Sequence, residues 1–128
     1  MKEFYDFGQW KKGDHIASIG CGYGWWEVSL CLHYPAEHLT LVDPLVDKED
    51  IQDSIDYFTE KTGLVWKTGV ELNPEGFKNQ NQIWVFNAWH EFENRSEMLK
   101  KEVFSASIVL QTCHFRDLFL DDHNATFI

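Results

Sequence analysis

Short apolar strands that alternate with helix-spaced segments, a glycine-rich turn inside the first such pair, and 128 residues free of repeats or linkers predict a single α/β domain. The alternation implies three layers around a mostly parallel sheet, and the domain spans residues 1–128. A chain of this length buries roughly two-thirds of the surface it exposes unfolded, so its core needs neither disulfides nor metal. A hydrophobic content of 44% and an aromatic content of 16% are those of a folded domain rather than a disordered one.

An aromatic leader at 4–10 precedes the turn Lys12-Gly13-Asp14, which feeds a short strand at 15–19. After the glycines, Trp25, Val28 and Leu32 fall at helical spacing, and Pro35 stops the helix. A second buried strand at 39–42 ends at Asp43-Pro44. Asp47 then caps a helix whose apolar face carries Ile51, Ile55 and Phe58, with Gly63 just past its end. A third strand is expected at 64–67, and a loop through Asn73-Pro74-Glu75-Gly76 leads to a buried fourth strand at 83–86. Asn94 or Ser96 starts a third helix with Met98, Leu99 and Val103 inward, before a fifth strand at 106–111. The tail, 114–128, offers one helical turn at 117–120 and no clear ending.

Eleven basic against 21 acidic residues leave a formal net charge of −10, an acidic protein that disfavours nucleic acid as a partner. Phosphate backbones are bound largely through Lys and Arg. No run of about 18 apolar residues and no charged start before an apolar stretch is found, so neither a membrane span nor a signal peptide is expected. The chain reads as cytoplasmic. Cys21, Cys31 and Cys113 form no C-x-x-C pair and are expected to be reduced, structural thiols. Asn124-Ala125-Thr126 matches a glycosylation acceptor by accident, given no secretion signal. The histidines show no H-x-x-x-H spacing, so no metal site is expected. No G-x-S-x-G elbow is present either.

In a parallel α/β sheet, ligands sit at the carboxyl ends of the strands near the switch in strand order. Gly20-Cys21-Gly22-Tyr23-Gly24 joins the first strand to the first helix there. Glycines permit positive φ and close ligand approach, and the helix start offers free N–H groups to an anion. Asp43 follows Gly20 by 23 positions at the end of the next strand, where a carboxylate can accept both hydroxyls of a ribose. Turn and acid together point to a nucleoside-containing ligand. The dinucleotide fingerprint G-x-G-x-x-G fails because Trp25 stands at its third glycine, which disfavours NAD and FAD. No Gly-Lys-Ser/Thr follows, which excludes a P-loop.

The stretch from Gly13 through Gly20-Cys21-Gly22-Tyr23-Gly24 resembles the first motif of the class I S-adenosylmethionine-dependent methyltransferases. Leu41-Val42-Asp43 is similar to their second motif, and Ile83-Trp84-Val85-Phe86-Asn87-Ala88-Trp89-His90-Glu91-Phe92 to their fourth strand and the loop after it. The resemblance spans about 13–113. It implies a Rossmann-like sheet of order 3-2-1-4-5 and a transferase that uses S-adenosylmethionine, with S-adenosylhomocysteine as product. The methionine part would lie over Gly20, Cys21, Gly22, Tyr23 and Gly24, the ribose on Asp43 beside Pro44, and the adenine near Gly69, Val70 and Glu71. Asn87 would wall the reacting methyl group.

Three departures from the family pattern stand out. Ser18 replaces an acid two positions before the first glycine, and Gln82 replaces an aspartate at the start of the fourth strand. The chain also ends about 15 residues past Cys113, a short form lacking the usual carboxyl-terminal strands and truncated after strand five. A bare strand-five edge with Ile108 and Leu110 would invite pairing, so a homo-oligomer or a partner subunit is expected to cover it.

Methyl transfer from a sulfonium is an in-line displacement in which holding the nucleophile near the methyl group does much of the work. His90 is the candidate general base for an acceptor that arrives protonated. Glu91 can pair with a cation, and the indoles of Trp25, Trp26 and Trp89 attract ammonium or guanidinium groups. The acceptor is therefore a small molecule or a protein group, with a cation as one option. The competing function is a methyltransferase-like binding module or partner subunit without catalysis, and a third is an NAD-dependent oxidoreductase.

Overall fold

The computed structural model describes residues 2–75, 80–86, 108–111 and 125–127. Three helices and six strands are present among them: α1 (Lys2–Gly8), β1 (His15–Ile19), α2 (Trp25–His33), β2 (His38–Val42), α3 (Lys48–Thr62), β3 (Gly69–Leu72), β4 (Gln82–Val85), β5 (Ile108–Gln111) and β6 (Ala125–Phe127). The sheet runs β3-β2-β1-β4-β5-β6 with every pair parallel. This is the α/β Rossmann-like architecture expected from the sequence, with strand order 3-2-1-4-5 over the first five strands.

The sheet does not stop at strand five. β6 lies parallel to β5, Val109 opposite Ala125 and Gln111 opposite Phe127. The expected bare β5 edge, and the pairing with another chain inferred from it, thus lose their premise over these residues, because the chain's own tail takes that place. The third strand also differs from expectation. Leu64 and Val65 are exposed, and β2 pairs instead with 69–72, Leu39 opposite Val70 and Leu41 opposite Leu72.

Alternation along the strands sorts two buried faces. Ile16, Leu39, Leu41 and Trp84 meet Val28, Leu30 and Cys31 of α2, Ile51 and Ile55 of α3, and Phe4 of α1 in one core. Ala17, Ile19, Ile83 and Val85 point to the other face and are buried as well. α3 is fixed by its ends. Asp47 and Asp50 form a reciprocal capping box, and Gly63 closes the helix in the left-handed region with its N–H on the Thr59 carbonyl.

The aromatic leader is a helix held by tertiary contacts. Tyr5 stacks on Tyr34, Phe4 packs on Trp26 and Phe86, and Trp10 meets Trp84 edge-on. The buried Gln82 amide donates to the Gly8 carbonyl at 2.6 Å and accepts the Trp84 indole N–H at 3.0 Å. That explains an amide where the resemblance expects an aspartate. A carboxylate could accept from Trp84 but could not donate to Gly8.

Candidate functional site at the carboxyl ends of β1 and β2

β1 is flanked by β2 on one side and β4 on the other, so the chain's crossovers leave it in opposite directions and open a crevice at its carboxyl end. The 20–24 turn occupies that crevice. Gly20, Gly22 and Gly24 all have positive φ, at 74°, 57° and 72°. Gly20 N–H donates to the Val42 carbonyl at 2.7 Å and continues the β1–β2 ladder into the turn. At Gly24 a Cβ would stand 3.3 Å from Ile51 Cδ1, so this glycine permits α2 to pack closely on α3 and β2. Trp25 makes no such approach. Its half-exposed ring meets Tyr57 and Phe58 of α3.

Asp43 meets the turn as the sequence suggested. Its Oδ2 accepts the Gly22 N–H at 2.9 Å and its Oδ1 accepts the Leu45 N–H at 3.0 Å. A carboxylate offers about four acceptor positions, so two remain for hydroxyl donors. Pro44 lies exposed beside it. The Cys21 thiol donates weakly to the Gly22 carbonyl, and burial, with the charges of Glu27 and Asp43, raises its pKa well above the ordinary thiol range. It is not a thiolate nucleophile. Tyr23 is exposed, and its carbonyl accepts the Ser54 hydroxyl at 2.7 Å.

Two groups escaped the sequence reading. Asn73, directly after β3, brackets the Asp43 backbone: its Oδ1 accepts the Asp43 N–H and its Nδ2 donates to the Asp43 carbonyl, both at 2.8 Å. With φ of 49°, it anchors the tip of β3 to the tip of β2. Its place in the turn Asn73-Pro74 was the available signal. The second is Glu27, in the first turn of α2. It is buried at 2% exposure and accepts the Ser18 hydroxyl at 2.7 Å. Burial raises its pKa to about 7, against the opposing Ser18 hydrogen bond. A glutamate among Trp25, Trp26 and Val28 was its signal, since an acid there breaks an apolar run.

The residues expected near an adenine are displaced. Gly69 sits opposite His38 at the amino-terminal start of the strands, where a Cβ would stand 3.2 Å from the His38 ring. Val70 and Glu71 lie within β3, not beyond its end, and line a cleft of about 310 Å³ with Lys48, Ile51, Ile55 and Leu72. The reason is the shifted third strand. Of the three tryptophans expected at the mouth, the two that are described diverge, Trp25 toward α3 and Trp26 toward Phe4 of α1, and do not share one wall. Asn87, Trp89, His90, Glu91 and Cys113, with the expected third helix, lie outside the described residues. Among the described residues no group of three His, Cys, Asp or Glu side chains is arranged to hold a metal, and no helix is long and apolar enough to cross a membrane.

Comparison with solved structures gives the fold a relative. The structure described as precorrin-8w decarboxylase of Methanobacterium thermoautotrophicum matches with a TM-score of 0.59 at 15% identity, covering 94% of this chain and 70% of that one. Coclaurine N-methyltransferase, solved with N-methylheliamine and S-adenosylhomocysteine, matches at 0.55 and 18% identity, over 84% of this chain and 31% of its own. YjhP from E. coli matches at 0.54 and 13% identity, over 84% and 45%. The chain shares with these structures a Rossmann-like α/β fold. It spans less than half the length of YjhP and of the coclaurine enzyme. No family model and no curated protein matches the sequence.

Proposed function

We propose that the chain binds S-adenosylmethionine at the crevice between β1 and β2 and transfers its methyl group to an acceptor, releasing S-adenosylhomocysteine. The observation that carries this reading is the Gly22 N–H to Asp43 Oδ2 hydrogen bond at 2.9 Å. It puts a ligand-approachable backbone turn and a carboxylate with spare acceptor capacity on one mouth, in a methyltransferase-like fold. Bound there, the sulfonium would supply an electrophilic methyl group. Asp43 would hold the ribose hydroxyls, the positive-φ glycines would let the ligand lie on the backbone, and Asn73 would keep Asp43 in place. The open amino terminus of α2, whose Gly24 cap supplies no side-chain acceptor for its N–H groups, favours a carboxylate. In the same reading Asn87 walls the methyl group, Pro44 flanks the adenosine, and His90 deprotonates the acceptor.

Calorimetric titration with S-adenosylhomocysteine, S-adenosylmethionine and NADH tests this reading. Saturable binding of the first two at micromolar concentrations, with no heat from NADH, is the expected result. No heat with either sulfur ligand would refute it. Binding without methylation of amine, hydroxyl or thiol acceptors would leave a binding module in place of an enzyme.

A further inference from the structure

Trp25 stands away from the mouth of the sheet and lines a hollow that the proposed reaction does not use. Between the start of α2 and the first turns of α3, a space of about 340 Å³ is walled by Tyr23, Trp25, Asp50, Asp53, Ser54 and Tyr57. The four α3 residues stand at i, i+3, i+4 and i+7 and so share one helix face. Ser54 ties that face to the glycine turn, its hydroxyl donating to the Tyr23 carbonyl at 2.7 Å, and Trp25 leans on Tyr57 with ring centroids 5.1 Å apart. Tyr23, Trp25 and Tyr57 nonetheless keep 57%, 46% and 44% of their surface exposed, aromatic area of the kind that interfaces bury. Trp25 also lines a second, apolar hollow of about 200 Å³ with Trp26, Ser29, Leu30 and Phe58. One indole thus joins the two into a single surface.

The charge of the first hollow is one-sided. Among the described residues Asp50 spends one carboxylate oxygen on the Asp47 N–H, and Asp53 is exposed with no hydrogen bond or ion pair. No described lysine, arginine or histidine stands in the wall. Lys61, one turn beyond Tyr57, holds its Nζ 5.7 Å from that ring's centroid, so the ring already draws a cation from outside the hollow. Carboxylates beside open aromatic faces, on a chain of net charge −10, are complementary to a cation that can also lie flat on a ring. A guanidinium does both: it stacks on aromatic faces, presents paired N–H donors to a carboxylate, and is more weakly hydrated than an ammonium. We propose that this hollow is the docking site for an arginine side chain of a partner protein, with its guanidinium against Trp25 and Tyr57 and its N–H groups on Asp53. An apolar residue next to that arginine would fill the hollow beside Trp26. The docking is independent of what the glycine turn binds.

The test is an NMR titration of the full chain at about 150 mM salt, where distant charges are screened. The probes are the acetylated, amidated tripeptide Leu-Arg-Leu, its lysine and citrulline counterparts, and methylguanidinium. The arginine peptide should shift the Trp25 indole N–H and the Tyr57 ring signals. It should bind about threefold more tightly than the lysine peptide, and the neutral citrulline peptide should bind more weakly than either. Trp25→Leu and Tyr57→Leu should each weaken the arginine peptide by about three- to fivefold, the contribution of a cation over an exposed ring. Asp53→Asn alters an exposed side chain, leaves the core untouched, and should weaken it by about two- to fivefold. Glu60→Gln removes the same charge from the same helix outside the hollow and should change affinity by less than about 1.5-fold. No shift at Trp25, equal binding of the arginine and lysine peptides, or equal losses in Asp53→Asn and Glu60→Gln would reduce the effect to the overall negative charge and overturn the assignment. Methylguanidinium binding as tightly as the arginine peptide would overturn the protein partner in favour of a small guanidine. Titration with S-adenosylhomocysteine should be unchanged in Asp53→Asn, so either reading can fail alone.

Discussion

Replacing Asp43 with alanine removes the acceptor of two backbone N–H groups, Gly22 at 2.9 Å and Leu45 at 3.0 Å. A hydrogen bond to a charged group contributes about 1.5 to 3 kcal/mol when desolvated, and much less where water takes the vacated place. The Leu45 contact is exposed and the Gly22 contact partly buried, so a stability loss of about 1 to 2 kcal/mol is expected from urea denaturation. The effect on a nucleoside ligand is separate. Losing the acceptor for ribose hydroxyls should weaken S-adenosylhomocysteine by about 1 to 3 kcal/mol, or roughly 5- to 150-fold in Kd. Because the turn itself loosens in this variant, a cycle with a 2′-deoxyribose analogue isolates the contact. In wild type the missing hydroxyl should weaken binding, and in Asp43→Ala it should matter little. A Kd within twofold of wild type in the variant, or equal losses for the deoxy analogue in both proteins, would refute the ribose assignment.

Two further outcomes follow from the same region. Gly24→Ala combines a left-handed backbone with a Cβ 3.3 Å from Ile51 Cδ1, whereas Gly22→Ala has the backbone term alone, with nothing within 4 Å. Denaturation should show a loss of about 2 kcal/mol for the first and about 1 kcal/mol for the second, and equal losses would contradict the close approach. Glu27 is held above its ordinary value of 4.5 at about 7. The native state therefore binds more protons than the unfolded chain between these values, and stability falls as pH rises through that window. The full effect is on the order of 3 kcal/mol. Glu27→Gln should flatten that decline and melt higher than wild type at pH 8, and a parallel decline in both proteins would locate the titrating group elsewhere.

Local chemistry made much of the fold readable. The Asp47 cap and the Gly63 stop each act within a few residues of themselves, and both helix ends fall where those residues put them. The strands at 15–19 and 38–42 are short, buried on both faces and bounded by turn residues. The third strand was misread because Leu64-Val65-Trp66 is as apolar as Gly69-Val70-Glu71-Leu72 when viewed alone. Register with β2 decides between them, and register is a property of two segments at once. The same holds for α1. Seven residues make a helix here because Tyr34, Phe86 and Gln82 receive it, and none of those partners is near in sequence.

The site divides along the same line. The glycine turn and Asp43 were visible because each belongs to a strand-end pattern of fixed spacing, and the structure brings them within one hydrogen bond of each other. Asn73 and Glu27 depend on spatial closeness across 30 and nine residues, which spacing alone does not encode. Their positions follow from the parallel topology. With β3, β2 and β1 side by side, the residue after β3 reaches the residue after β2, which reaches the turn after β1. A chain of three strand tips is thereby locked into one rim, while α2, starting at that rim, turns its first acid back beneath it onto β1. A ligand seated on this rim meets backbone N–H groups in front and carboxyl groups beside and behind.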